Sequence, residues 1–111
     1  MSEFVNFLHE VFAQLGAINA RKMFGGFGIY HNGVMFGLVS DDTLYLKTDK
    51  NTAQYFIEKD LHQFEYDKNG KRIKMSYYMA PEEILENPDD AELWARRAYE
   101  VALNEKLRKH R

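Results

Sequence analysis

The Asn32-Gly33 dipeptide constrains the fold more than any other feature of the sequence, because it lies between two segments of β-forming residues. Asn-Gly favours a two-residue type I′ turn, whose twist matches that of the strands it joins. Such a turn also fixes the register of the two strands. The predicted pairs, in order away from the turn, are His31 with Val34, Tyr30 with Met35, Ile29 with Phe36, and Gly28 with Gly37. The sequence therefore predicts a hairpin in which two glycines lie directly opposite each other.

Alternation of side chains along these strands predicts a sheet with two apolar faces. One predicted face carries Phe27, Ile29, Phe36 and Leu38. The other carries Tyr30, Met35, Val39, Leu44 and Leu46 around a bare patch at Gly26, Gly28 and Gly37. A small antiparallel sheet normally leaves one face to water, so a second apolar face needs a cover, either helices of the same chain or a second molecule. The second alternative leads to the hypothesis of a symmetric homodimer.

Helical patterns flank this β-rich region. Ser2 is a good N-cap for an amphipathic helix that ends near Gly16. Pro81 and Pro88 each precede two carboxylates, the arrangement of a first helical turn, and Asn87 is a plausible N-cap for the last helix. The predicted order is α-β-β-β-β-α-β-β-α-α. This order predicts an α+β fold with a small antiparallel sheet flanked by helices.

A second Asn-Gly dipeptide, Asn69-Gly70, predicts a hairpin that leads into the strand over residues 71–79. One side of this strand is apolar and is predicted to be buried; it carries Ile73, Met75, Tyr77 and Met79. Tyr78 is predicted on the opposite, exposed side. The four methionines at 23, 35, 75 and 79 are open to two interpretations, as fillers of a core or as an adaptable binding surface.

Composition narrows the class of protein. A chain of 111 residues, 45% of them hydrophobic, can bury a core as one domain spanning residues 1–111. Fifteen Lys and Arg against 17 Asp and Glu give a net charge of −2, so direct DNA binding is not expected. The absence of cysteine suits a reducing compartment. The sequence has neither a membrane-spanning apolar run nor a secretory leader pattern, which predicts a cytoplasmic protein without membrane association.

The sequence predicts no catalytic, metal-binding or cofactor-binding residues. The four histidines are far apart in sequence and lack the spacing of metal motifs. Ser76 lacks the glycine-flanked turn of a hydrolase nucleophile. The glycine-rich residues 25–28 lack a phosphate-binding pattern and lead into a strand instead of a helix N-terminus.

A series of short motifs, taken together and in order, resembles the TfoX N-terminal domain of the TfoX/Sxy competence-regulator family. The motifs are residues 21–30, Asn32-Gly33-Val34-Met35-Phe36, Leu44-Tyr45-Leu46-Lys47, Phe64-Glu65-Tyr66, Met75-Ser76-Tyr77-Tyr78, Pro81-Glu82-Glu83 and Trp94-Ala95-Arg96-Arg97-Ala98-Tyr99. The resemblance implies a two-layer sandwich similar to type III secretion chaperones, in a bacterial cytoplasm. It also implies a link to the regulation of DNA-uptake genes together with the cyclic-AMP receptor protein. Full regulators of this type carry a helical C-terminal domain, so this chain is expected to be a stand-alone N-terminal module.

These observations favour a non-enzymatic regulatory or adaptor domain that binds another protein, with transcription proteins as candidate partners and a homodimer as the expected state. The alternatives are a nucleic-acid-associated protein and an uncharacterised enzyme or small-molecule binder. Grouping of Arg21, Lys22, Lys47, Arg72 and Lys74 on one exposed face would favour nucleic acid. The predicted contact surface consists of Arg21, Lys22, Met23, Phe24, Gly25, Gly26, Gly28, Gly37 and Tyr78.

Overall fold

The computed structural model describes residues 2–23 and 25–109 of the chain. In chain order these residues form α1 (Glu3–Val11), β1 (Asn19–Met23), β2 (Gly26–His31), β3 (Val34–Ser40), β4 (Thr43–Lys47), α2 (Ala53–Ile57), β5 (Gln63–Lys68), β6 (Lys71–Met79), a 3₁₀ helix (Glu82–Leu85) and α3 (Pro88–Lys109). This order confirms the predicted α+β fold, with a short 3₁₀ helix as the third helical element. None of the helices formed by the described residues is both long and apolar enough to cross a membrane.

Local signals explain where several elements begin and turn. The backbone N–H of Val5 donates to the Ser2 hydroxyl over 3.1 Å, which confirms the predicted cap of α1. The Asn87 side chain accepts from the first backbone N–H groups of α3, as predicted. At both Asn-Gly turns the asparagine and the glycine have positive φ angles, as a type I′ turn requires. Helix α1 ends earlier than expected, at Val11, and one further turn precedes Gly16.

The strands form a six-stranded antiparallel sheet in the order β1-β2-β3-β4-β6-β5. Strands β1 and β5 are therefore its two edges. The connection between β4 and β5, which contains α2, passes over the position of β6.

The pairing of β2 with β3 departs from the predicted register. The two pairs next to the turn are as predicted, but then Ile29 pairs with Gly37 and Gly28 pairs with Leu38. The predicted pair of Gly28 with Gly37 is therefore wrong. A β-bulge between Ile29 and Tyr30 gives β3 one extra residue, Phe36, and turn chemistry alone does not specify a bulge.

The bulge also corrects the predicted faces. Because one residue is inserted, every later side chain of β3 and β4 lies on the side opposite to the predicted one. Leu38 leaves the face of Ile29 and Phe36, whereas Val39, Leu44 and Leu46 join it.

The helices all pack on one face of the sheet and form the main core with it. Phe12 of α1 meets Phe36 of β3 edge to face, with ring centroids 5.5 Å apart. Phe56 of α2 meets Trp94 of α3 in the same way at 5.0 Å. Alanines at 91, 95 and 98 let α3 approach the sheet closely. Burial of each large side chain here contributes about 1.5–3 kcal/mol, and most of the buried apolar residues of the two clusters lie on this face.

The opposite face carries a second apolar cluster, and all of its residues belong to strands. Its buried members are Leu38, Tyr45, Phe64 and Tyr77, and its half-buried members are Met35, Tyr66, Met75 and Met79. The rings shield one another. The ring centroids of Tyr45 and Phe64 are 5.0 Å apart, and those of Phe64 and Tyr66, which are stacked, are 6.3 Å apart. The prediction of two apolar faces is confirmed. We call this second side of the sheet the open face.

Candidate interaction surface

The predicted contact surface begins on the edge strand β1. Arg21 and Lys22 are exposed, and Met23 is half-buried. Phe24 lies outside the described residues. Gly25 follows in the tight turn to β2 with a φ of +76°, a conformation that favours glycine, and a Cβ there would meet open space.

Gly26 and Gly37 are glycines because of contacts within the sheet. A Cβ on Gly26 would overlap the carbonyl oxygen of Val39 in β3. A Cβ on Gly37 would lie 3.2 Å from the carbonyl oxygen of Tyr45 in β4. Both glycines are buried, so they form no bare patch for a partner. Of the two alternatives open at the sequence level, packing within the chain accounts for them.

Gly28 lies on the open face, where three side chains converge on it. A Cβ at this position would be 2.7 Å from the Met23 sulfur, 3.0 Å from the Tyr30 ring and 3.2 Å from the Met35 sulfur. The glycine therefore makes room for two thioethers and a phenol ring. These flexible side chains, and not the glycine, form the accessible surface at this point.

Tyr78 is not part of this surface. Its ring is half-buried and packs against Phe56 of α2, with centroids 5.7 Å apart, on the face that the helices cover. The predicted exposed position of Tyr78 beside the glycines is wrong, because the helices cover the side of β6 that was expected to face water. Tyr77, its neighbour, is 7% exposed and belongs to the open face.

The open face is rich in methionine. All four methionines of the described residues, Met23, Met35, Met75 and Met79, are half-buried and contact side chains of this face. Unbranched thioether side chains adapt to differently shaped partners, and such surfaces are common at adaptable binding sites. Methionines buried under helices would indicate core filling instead, so their position favours the binding-surface interpretation.

Cations border the open face, and they differ in whether a carboxylate pairs with them. Lys47 lies 5.3 Å from the centre of the Tyr77 ring and forms an ion pair of 3.2 Å with Glu105. The Arg21 guanidinium lies 4.8 Å from the centre of the Tyr30 ring. Neither Arg21 nor Lys22 is within ion-pair distance of a carboxylate of the described residues.

The phenols at the centre of this face hold their protons tightly. Burial, with smaller contributions from the nearby Glu105 charge and Tyr30, raises the pKa of Tyr77 to about 12. Burial followed by the Asp41 charge raises the pKa of Tyr45. The Tyr45 hydroxyl and Nε2 of His62 form a hydrogen bond of 3.2 Å, a pairing that sequence spacing did not indicate. Both phenols are therefore uncharged at neutral pH.

The histidines and carboxylates of the described residues do not converge on a metal-binding group. Nδ1 of His31 forms a 2.8 Å hydrogen bond with the carbonyl oxygen of Ala17, and its ring packs edge to face against Tyr99. His31 therefore holds the α1–β1 connection and α3 against the hairpin, a structural role.

The fold and this surface define a class: a small α+β domain whose helices cover one face of an antiparallel sheet and leave a methionine-rich face accessible. The family model of the TfoX N-terminal domain matches residues 10–102, and the chain belongs to this family. The chain is 30% identical to Protein Sxy of Escherichia coli (strain K12) over 97 residues, which cover 87% of this chain and 46% of Sxy. It is 31% identical to DNA transformation protein TfoX1 of Aliivibrio fischeri over 85 residues, covering 77% of this chain and 39% of that protein. The chain thus spans less than half the length of these curated relatives.

Proposed function

We propose that this domain regulates bacterial DNA uptake without catalysing a reaction, by binding another protein through the open face of its sheet. Family membership and a relative whose name denotes DNA transformation support the regulatory part. The half-buried methionines of the open face carry the binding part, because they combine apolar contact area with adaptable shape. A cytoplasmic transcription protein is the proposed partner.

The titratable groups support binding better than catalysis. A general base at neutral pH needs a pKa near 7, but burial moves the pKa values of Tyr45 and Tyr77 upward, away from that range. Glu83 lies on the 3₁₀ helix, away from the open face. Its pKa is lowered by a hydrogen bond from its own backbone N–H and by Lys59. These groups do not share a cleft, so they offer no acid–base pair.

The distribution of cations supports a protein partner over nucleic acid. The five cations that would form a nucleic-acid surface are spread over three strands, β1, β4 and β6, that are not consecutive in the sheet. Two of them are already in ion pairs, Lys47 with Glu105 and Arg72 with Asp67 and Glu65. A basic stripe of the kind that follows a phosphate backbone is therefore not formed by these residues.

The expected homodimer stays a prediction. A second copy on the open face would use the same methionines, and light scattering of the purified domain at tens of micromolar distinguishes one chain from two.

Deletion of the gene in the bacterium that encodes it, followed by complementation, tests the proposed function. Transcripts of DNA-uptake genes should fall on deletion and return with the native chain. The double variant Met35→Gln/Met75→Gln keeps side-chain length but makes the open face polar, and it should fail to restore them. The matched control is Leu93→Gln, on a 55% exposed position of α3 outside the open face, which should restore them fully. Unchanged transcripts on deletion would contradict the proposal.

A further inference from the structure

We propose that β1 (Asn19–Met23) is the site where an extended acidic segment of the partner protein adds to the sheet as a seventh strand. This inference rests on the proposed function, and it specifies the chemistry of the partner. It is carried by the position of β1 in the sheet and by the charges on it.

The backbone of β1 is available for strand addition. β1 pairs only with β2, and no other backbone hydrogen bond to its residues is formed within residues 2–23 and 25–109. Alternate residues of an edge strand direct N–H and C=O groups outward, where an added strand can pair with them. Asn19, Arg21 and Lys22 are exposed, so side chains of the domain do not bury this edge.

The charge on β1 favours a partner with carboxylates. The sequence contains neither aspartate nor glutamate between residues 11 and 40, so Arg21 and Lys22 lack acidic neighbours along the chain. Glu105 of α3, which contacts the open face at β4, is already paired with Lys47 and Lys109. Two uncompensated cations at adjacent positions of an edge strand are complementary to two adjacent carboxylates on an added strand.

The same charges disfavour a second copy of β1 as the occupant. In a symmetric antiparallel pair of β1 strands, the cations of one copy would lie opposite or diagonal to those of the other, which is destabilising. The opposite edge of the sheet differs, since Glu65 and Asp67 of β5 are both paired with Arg72 of β6. The carboxylates of β5 are thus paired within the chain, whereas Arg21 and Lys22 of β1 have no carboxylate partner among the described residues.

The two sides of β1 indicate which residues the added segment should carry. Adjacent strand residues point to opposite faces, so carboxylates of the segment would meet Arg21 on the open face and Lys22 on the other. On the open face the segment would also pass Met23, which packs with Tyr30 and Met35 over Gly28. An apolar residue beside the two acids would contact these side chains.

Nuclear magnetic resonance titration of the whole chain with a capped peptide, Thr-Val-Glu-Glu-Val-Thr, tests the inference. Amide signals of residues 19–23 should shift most. Two further peptides carry N-methyl groups on either the odd or the even residues; one should lose binding and the other keep it, because only alternate amides face β1. A peptide with lysine in place of both glutamates should bind about tenfold more weakly, equivalent to about 1.4 kcal/mol.

Charge reversal gives the matched pair of protein variants. Arg21→Glu/Lys22→Glu should lower the affinity for the glutamate peptide about tenfold. The same variant should bind the lysine peptide more tightly than the native chain does. Lys50→Glu/Lys68→Glu changes the net charge equally at exposed positions away from β1 and should leave both affinities unchanged.

Several results would overturn the inference. Shifts centred on β5, equal binding of both N-methylated peptides, or no binding would exclude strand addition at β1. If a twelve-nucleotide single strand binds at β1 more tightly than the glutamate peptide does, the cations bind nucleic acid instead. A two-chain mass that Arg21→Glu/Lys22→Glu reduces to one would assign them to a second copy.

The gene-deletion experiment separates this inference from the proposed function. If deletion lowers the uptake transcripts and the Arg21→Glu/Lys22→Glu chain restores them fully, the inference fails and the proposed function stands. If deletion has no effect, the proposed function fails whatever the peptide does.

Discussion

The two faces of the sheet are both apolar, but they are built from different side chains. The face under the helices carries branched and aromatic residues such as Ile29, Phe36 and Leu46, each fully buried. The open face has buried rings at its centre and half-buried methionines around them. Rigid, complementary side chains specify one packing, whereas flexible thioethers permit several. The first face therefore determines the fold, and the second remains available for contact.

The largest expected effect is the difference between core substitutions on the two faces. Phe36→Ala, under the helices, should lower the free energy of unfolding by about 3–5 kcal/mol because it leaves a cavity against Phe12. Met75→Ala, on the open face, should cost about 1 kcal/mol because its side chain is only half-buried. Urea unfolding monitored by circular dichroism measures both. Equal losses would mean that the open face contributes as much to folding as the covered one.

Two glycines of β2 should respond differently to the same added methyl group. Gly26→Ala places a Cβ against the backbone carbonyl of Val39, so the strands must move apart. This substitution should lower the free energy of unfolding by about 3 kcal/mol. Gly28→Ala meets the ends of Met23 and Met35 and the edge of the Tyr30 ring, and these side chains can move aside. The substitution should therefore lower the free energy of unfolding by only about 1 kcal/mol. In a chain that already carries Met23→Ala, adding Gly28→Ala should lower the free energy of unfolding by less than it does in the native chain, because the nearest side chain is then shorter. Similar costs at the two positions would show that the thioethers are as fixed as the backbone.

High pH should weaken the fold through the open face. The Tyr77 phenol has a pKa of about 12 in the folded chain, above the ordinary tyrosine pKa of 10.0, so the folded state binds more protons between these values. The free energy of unfolding should therefore fall as pH rises from 10 to 12, by about 2–3 kcal/mol in total. Tyr77→Phe should remove most of this decline, leaving the smaller part due to Tyr45. Parallel pH curves for the native chain and Tyr77→Phe would mean that this face is well hydrated.

The smallest expected effect concerns ion pairs. Lys47 and Glu105 join the sheet to α3, with side chains 12% and 35% exposed, and a double-mutant cycle with Lys47→Ala and Glu105→Gln should give a coupling of about 0.5 kcal/mol. One molar salt should reduce it. The more exposed pair of Lys59 with Glu83 should give no measurable coupling. A larger coupling for the exposed pair would contradict this order.

Local sequence signals predicted most of the elements. Both Asn-Gly turns, the Ser2 cap and the Asn87 cap depend on residues within a few positions of one another, so they can be read without knowledge of the fold. The order of helices and strands followed from the same signals.

The arrangement of the faces could not be predicted in the same way. The bulge opposite Ile29 changes the side of every later residue in β3 and β4, and a bulge depends on sheet curvature, which turn residues do not encode. Which side of β6 the helices cover depends on contacts distant in sequence, such as that of Phe56 with Tyr78. Arg21 and Lys22 are exposed on β1, but their role in a contact surface stays a prediction. The surroundings of the glycines could not be predicted without the register of β2 and β3. The side of the sheet on which Tyr78 lies could not be predicted without the packing of α2 on β6.

Site-specific photocrosslinking in the bacterium tests most directly whether the open face is the binding surface. A benzoylphenylalanine placed at Met35, on the open face, is compared with one placed at Leu93, on the exposed side of α3. We predict a crosslinked protein adduct from position 35 that disappears in the Arg21→Glu/Lys22→Glu background, and no adduct from position 93. An adduct from position 35 that the charge reversal leaves unchanged would contradict only strand addition at β1. An adduct from position 93 alone would contradict the assignment of the open face as the binding surface.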